Sequence, residues 1–253
     1  MLNLIKESST RIKTALVLFF IFIFVSYVDS LFLVWLFFGF FLIVGISEAK
    51  KLFGIENDYS IYQYVSITWI VAYFYAEPVE LIFVLLIVLA SVLAYTKKVN
   101  PKIVFPILYP LVSFLFLLSL YVEYGIQVLW WLLFIVASTD VGAYYVGKSI
   151  GKTKFCETSP KKTWEGVAGG VILAGVLGPT FAMSNIEYVT ALLISLIVAF
   201  VSVFGDLFES YLKREANVKD SGNILPGHGG VLDRTDGYLF GAIVMLVLLR
   251  MVG

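Results

Sequence analysis

Between Gly205 and Gly237 the sequence gathers six carboxylates: Asp206, Glu209, Glu215, Asp220, Asp233 and Asp236. The same interval holds four cations, Lys213, Arg214, Lys219 and Arg234, and the only histidine, His228. Apolar segments flank it on both sides, and charge this dense beside lipid-facing helices is retained where it is needed. Carboxylates at helix ends are hard oxygen ligands suited to Mg²⁺, which keeps waters and bridges substrate phosphates. The cations neutralise phosphate oxygens, Arg through its planar fork and Lys as a point charge. Pro226-Gly227-His228-Gly229-Gly230 cannot continue a helix; its glycines permit positive φ and close approach of backbone N–H groups to an anion. Together these features point to phosphoryl or nucleotidyl transfer. A merely solvated loop would not set such charges directly against apolar spans.

The spacing refines this picture. If the preceding helix continues past Asp206, then Asp206, Glu209, Ser210 and Lys213 share one face. Asp233 and Asp236 share another at the start of the last apolar run. Two helices presenting carboxylates at one cytoplasmic depth could clamp a divalent ion. His228 is open between a phosphate donor, an acid or base, and a loop-ordering hydrogen bond.

A second polar block lies upstream. Asp140 falls inside an apolar run, and intramembrane carboxylates usually face the bundle interior and mark a functional path; the alternative is a buried Asp satisfied by Ser138, Thr139 or a neighbouring helix. Ser159-Pro160-Lys161-Lys162-Thr163 reads as a helix start, with Ser159 as N-cap and Pro160 in the first helical position. Lys161 and Lys162 would then sit at a helix N-terminus, where an anion is favoured, or else serve as ordinary topology signals. Gly142, Gly147, Gly151, Gly166, Gly169 and Gly170 are small positions that allow close helix packing.

The elements that must position these residues are membrane helices. Hydrophobic residues make up 60% of the 253-residue chain and charged ones 14%, with a mean hydropathy of +0.94, far from a soluble domain's balance. Apolar runs recur at about 14–28, 31–46, 61–76, 81–96, 103–122, 126–147, 166–185, 188–205 and 237–252. Several are short for a bilayer core of roughly 30 Å, so flanking residues must complete them. The expected fold is an all-α polytopic bundle of about nine transmembrane helices, one membrane domain over 1–253. Within it, 1–125 reads as generic N-terminal helices and 126–253 as catalytic helices and loops. The basic start followed by an apolar run lacks a small-x-small cleavage pattern and reads as a retained helix. The single Cys156 excludes an intramolecular disulfide.

With the N-terminus in the cytoplasm and nine alternating spans, seventeen of the eighteen basic residues fall on the inside. The outside loops hold Asp29, Glu77, Glu80, Glu123 and Glu187; only Arg250 is misplaced. The net charge is zero, and no nucleic-acid partner is expected.

Ser210-x-Leu212-Lys213-Arg214, then Lys219-Asp220, then Leu225-Pro226-Gly227-His228-Gly229-Gly230-x-Leu232-Asp233-Arg234-x-Asp236 resembles the signature of the phosphatidate cytidylyltransferases, also called CDP-diacylglycerol synthases. Ser138-Thr139-Asp140-Val141-Gly142-Ala143-Tyr144-Tyr145-Val146-Gly147, leading to Ser159-Pro160-Lys161-Lys162-Thr163-Trp164-Glu165-Gly166, resembles a second block of that family. The resemblance is specific over roughly residues 138 to 237. It implies transfer of the cytidylyl group of CTP to phosphatidic acid, giving CDP-diacylglycerol and pyrophosphate, with Mg²⁺ as cofactor, at the cytoplasmic face of a bacterial-type inner or plasma membrane. On this reading Asp206 and Asp233 are metal ligands, with Asp236 and Asp220 completing the shell and Lys219 in the catalytic set. Lys161, Lys162, Lys213, Arg214, Lys219 and Arg234 hold phosphates, and Asp140, Ser210 and His228 join the substrate-binding residues.

Two other readings compete. A relative could act on another lipid phosphate, such as an isoprenoid-based one, since acyl specificity lies in apolar helices. A cation transporter would need polar groups across the full membrane thickness, whereas these carboxylates cluster at one face. Oligomeric state, a homo-oligomer included, is left open. Single-cysteine labelling should find positions beside Lys161 and Lys219 accessible only from the cytoplasmic side and positions beside Glu77 only from the other. Labelling of both sets from one face would overturn the nine-span arrangement.

Overall fold

The computed structural model describes residues 2–97 and 100–252, with side chains at position 10 and from 12 onward. Lys98 and the side chains of Lys6 and Arg11, counted above among the inside charges, lie outside the described residues.

The apolar runs became helices because lipid offers no partner for backbone polar groups, and a helix satisfies its own. Nine helices follow the nine runs among the described residues. They are α1 Leu2–Val28, α2 Leu31–Leu52, α3 Ser60–Phe74, α4 Leu81–Thr96, α5 Pro101–Tyr124, α6 Ile126–Ile150, α7 Trp164–Leu177, α8 Tyr188–Glu215 and α9 Leu232–Val252. Seven are long and apolar enough to cross a bilayer: α2, α4 with the turn Pro78–Glu80, α5, α6, α7 with the turn Gly178–Phe181, α8 and α9. Two are shorter, α3 at 15 residues and the apolar part of α1, Ile12–Val28. No strand occurs among the described residues; isolated bridges join Lys154 to Thr163 and Leu225 to Gly229. The protein is a multi-pass integral membrane protein. Spans outrun their apolar runs because helices continue into polar flanks, α8 most of all.

The chain divides into two compact units, 1–122 with 215–234, and 123–214 with 235–253. In the first, α2 is the hub, packing on α1, α3 and α5. Trp35 and Trp69 bind it to α3 reciprocally. The Trp35 indole donates to the Trp69 carbonyl at 2.7 Å and the Trp69 indole to the Trp35 carbonyl at 3.3 Å. Within α5 a π-helical turn, Ile107–Leu111, accommodates Pro110, whose missing N–H would break a regular α-helical ladder.

In the second unit α6 and α7 meet backbone to backbone. A Cβ at Gly142 would lie 2.8 Å from the Gly169 carbonyl oxygen, one at Gly166 would lie 2.9 Å from that of Ala143, and one at Gly170 would overlap that of Thr139. The glycines expected to allow close packing therefore do so. On α9, Gly237 and Gly241 face Val136 and Leu132 of α6 and Ser202 and Val198 of α8. Arg250, the exception to the charge asymmetry, grips Glu123 with a guanidinium fork, Nε to Oε2 at 2.9 Å and Nη2 to Oε1 at 2.5 Å.

Gly170→Val should prevent the α6–α7 approach, at about 1–3 kcal/mol for overpacking. Thermal unfolding in detergent should show a lowered midpoint or loss of folded yield. Ile172→Val, on an exposed position of the same helix, should leave the midpoint unchanged.

Candidate active site

In the second unit, α6 presents Thr139, Asp140, Ala143, Gly147 and Lys148 to a cavity of about 510 Å³. The segment before α7 contributes Lys161, Lys162 and Thr163, and α8 contributes Val203 and Asp206. Lys162 Nζ lies 2.6 Å from Asp206 Oδ2 and 3.3 Å from the Val203 carbonyl oxygen. Lys161 is exposed and lines the same cavity. Asp140 is exposed at the cavity wall rather than enclosed, so the expectation that it faces the bundle interior becomes one of facing this opening.

The local fold that places the lysines differs from the expected one. The helix begins at Trp164, not Pro160. Thr163 is the N-cap, in extended backbone, its Oγ1 accepting from the Gly166 N–H at 3.2 Å. Ser159 and Pro160 instead start a turn, closed by the Lys162 N–H on the Ser159 carbonyl at 3.0 Å, with Pro in the turn position its fixed φ suits. Backbone bonds from Phe155 N–H to Lys162 O at 2.9 Å and from Trp164 N–H to Thr153 O at 3.0 Å make residues 153–164 a small hairpin. Glu165 clamps its base, accepting from the Lys152 and Thr153 N–H groups at 3.2 Å and the Thr153 hydroxyl at 2.8 Å. The two lysines thus precede the N-cap and enter the cavity from the turn that leads into α7.

α8 does continue past Asp206, and the shared face is realised. Ser210 Oγ donates to Asp206 Oδ1 at 3.3 Å, and Lys213 Nζ lies 2.6 Å from Glu209 Oε2, with Glu209 fully buried. Arg214 is exposed near the helix end. Gly205 lies against the Asp236 backbone carbonyl, where any Cβ would overlap it. Asp236 Oδ1 accepts from the Gly237 N–H at 2.7 Å. Asp140, Asp206, Glu209 and Asp236 all belong to this second unit.

In the first unit the glycine-rich loop is a tight turn, with Leu225 N–H to Gly229 O at 3.0 Å and His228 N–H to Leu225 O at 2.8 Å. Gly227 and Gly229 have φ of +76° and +87°, the conformation for which glycine was expected. Asp233 Oδ2 accepts from the Ser221 N–H at 2.9 Å and the Gly230 N–H at 2.8 Å, with Ser221 Oγ at 2.9 Å. Arg234 Nε donates to the His228 carbonyl at 2.9 Å. Lys219 and Asp220 are exposed. Glu48 of α2, absent from the residues singled out by sequence, is 4% exposed and accepts from the Val231 and Leu232 N–H groups at 2.9 Å. Lys148 at the cavity and Ser221 in the loop are likewise outside the residues singled out by sequence. The signal for Glu48 was an acid at the end of an apolar run, which the cost of charge near lipid makes informative.

Mg²⁺ fits this donor set in kind. It takes hard oxygens, usually one or two carboxylates plus phosphates and waters rather than an all-protein cage. Among the described residues no three His, Cys, Asp or Glu side chains form such a cage. Lys162 pairs with Asp206 and Lys213 with Glu209, and a divalent ion suits the carboxylate oxygens that remain. Asp233 already commits one oxygen to the loop, so a ligand role would use the other.

By class, then, this is a membrane-embedded enzyme of phosphate chemistry, with lysines and carboxylates around a water-open cavity at the polar ends of its helices. A family model described as the cytidylyltransferase family matches residues 9–252. A phosphatidate cytidylyltransferase of Helicobacter pylori strain J99 is 46% identical over 249 residues, 98% of this chain and 93% of that protein. One from Bacillus subtilis strain 168 is 52% identical over 122 residues, 47% of this chain and 45% of its own length. The chain belongs to the cytidylyltransferase family.

Replacing Lys161 and Lys162 together with Gln should lower kcat/KM, or raise the KM for one substrate, by at least tenfold, about 1.4 kcal/mol. Unchanged kinetics in a folded double variant would leave both as topology signals.

Proposed function

We infer that the chain catalyses the reaction for which its relatives are named, transferring the cytidylyl group of CTP to phosphatidic acid to give CDP-diacylglycerol and pyrophosphate in phospholipid synthesis. The observation that carries this reading is the cavity in which Lys161, Lys162, Asp140 and Asp206 meet, on a chain alike to such enzymes over nearly its whole length.

A phosphatidate oxygen forms the new bond to the α-phosphorus of CTP, the bond to the bridging oxygen breaks, and pyrophosphate leaves with the electron pair. The attacking oxygen is already anionic near neutral pH, so no strong base is required. The difficulty lies in holding two repelling anions in line and in meeting charge at the α-phosphorus and leaving group. Lys161 and Lys162 are proposed to hold phosphate oxygens at the cavity. Lys162 does so by exchanging Asp206 for the substrate, which the flexible stem and rotatable donors of a lysine ammonium permit. Lys213, Arg214, Lys219, Arg234, Ser210 and His228 are proposed as further phosphate partners. Thr163 and Glu165 are proposed to position the lysines, Thr163 as the cap of α7 and Glu165 at the base of the hairpin.

Mg²⁺, when bound, supplies Lewis-acid stabilisation of the phosphoryl oxygens. Asp206 and Asp236 are proposed to hold it, with Asp233 and Asp220 as further candidates from the loop. The N-terminus and the site are proposed to be cytoplasmic, where CTP is found. The cavity's position beside α6 and α7 suits a lipid phosphate arriving from the membrane.

Labelled CTP incubated with purified protein, phosphatidate and Mg²⁺ should deliver label to the lipid fraction. Asp206→Asn and Asp236→Asn should reduce turnover by orders of magnitude while preserving folding, and Glu215→Gln, exposed at the end of α8, should be nearly silent. Near-normal turnover of both Asn variants at limiting Mg²⁺ would place the metal elsewhere.

A further inference from the structure

We propose that Glu48 is a positioning residue for the reaction: it sets the shape of the glycine-rich loop so that the loop can receive the phosphates of CTP. This rests on the functional reading above. Glu48 lies on α2, in the half of the chain that looks generic by sequence, yet its carboxylate holds both ends of the loop. Oε1 accepts from the Val231 N–H at 2.9 Å, Oε2 accepts from the Leu232 N–H at 2.9 Å, and Ser221 Oγ stands 3.1 Å from Oε2. Ser221 Oγ is also 2.9 Å from Asp233 Oδ2, so one hydroxyl bridges two carboxylates. Glycine at 230 makes room for this, since a Cβ there would lie 2.6 Å from both Glu48 oxygens; a Cβ at Gly222 would overlap Oε1.

The arrangement does more than cap a helix. A carboxylate at the first N–H groups of α9 satisfies donors that any N-cap side chain could satisfy from within the loop. Here the acceptor comes from another helix, is 4% exposed, and joins residues 221 and 231–232 at one point. Burial of a carboxylate is costly unless several donors meet it, and here two N–H groups and a hydroxyl do. What the charge adds is a fixed register between α2 and the loop. That register holds Gly227 and Gly229 in their left-handed turn and sets Asp233 against the Ser221 and Gly230 N–H groups. The loop carries Lys219, Asp220, His228 and Arg234, so its shape decides where they stand.

The test uses the full-length enzyme in detergent, with KM measured separately for CTP and for phosphatidate. KM does not depend on the fraction of molecules folded, so a merely structural defect does not move it. Glu48→Gln keeps the shape but exchanges one acceptor oxygen for a donor. It should raise the KM for CTP about tenfold with the KM for phosphatidate within about twofold of wild type. Glu56→Gln, exposed beyond the end of α2, should change neither. A Glu48→Gln enzyme with the wild-type KM for CTP overturns the proposal. If that variant does not fold, Ser221→Ala, which deletes only the bridging hydroxyl, decides by the same reading: a raised KM for CTP supports the role and an unaltered one overturns it. Should wild-type protein transfer no label, the functional reading fails by itself, and hydrogen exchange then tests the loop. Faster exchange confined to amides 221–232 in Glu48→Gln supports positioning, and unchanged exchange there overturns it.

Discussion

The contact on which the cavity depends is the one between the backbones of α6 and α7. At Gly142, Gly166 and Gly170 no Cβ separates the helices, so carbonyl oxygens and Cα atoms touch directly. In lipid there is no hydrophobic drive between helices, and close packing of this kind is what holds them. It also fixes where polar groups stand. With α6 pinned to α7, Thr139, Asp140, Ala143 and Gly147 form one wall, and the hairpin leading into α7 must enter beside them. Lys161 and Lys162 are delivered by that constraint rather than by a helix of their own.

Charge then organises the rest of the second unit. α8 runs past its apolar stretch and carries Asp206 and Glu209 with it, each matched by a lysine at 2.6 Å. The Glu209–Lys213 pair, one member fully buried, is internal to the helix. The Lys162–Asp206 pair is different: its side chains are 22% and 37% exposed, it joins a loop to a helix, and it borders open volume. Water screens such a pair, so it contributes little to stability and its partners are available for exchange.

Much of this was legible in the sequence. Nine apolar runs gave nine helices, because length and hydropathy determine membrane helices more directly than they determine soluble ones. The three- and four-residue spacing of Asp206, Glu209, Ser210 and Lys213 was enough to predict a shared face, and Gly227 and Gly229 of the 226–230 turn announced their positive φ. The helix start at Ser159 was misjudged for a physical reason. Ser-Pro serves a turn as well as an N-cap, and the cross-hairpin bonds of Phe155 and Trp164 decided between them. Glu48 was illegible as a loop anchor because its partners lie far along the chain, and only the fold reveals that Val231 and Leu232 come to it.

That distance has a consequence for how the molecule is made. The first compact unit is discontinuous, since residues 215–234 complete it after the whole of 123–214 has been synthesised. Val231 follows Glu48 by 183 residues; at about 5–20 residues per second a ribosome needs about 10–40 s to supply it. For that interval a carboxylate destined for a nearly waterless niche waits on a newly inserted helix without its donors. The loop's arrival therefore completes the N-terminal unit, and a nascent chain halted before residue 231 would leave Glu48 without the donors that meet it in the folded protein.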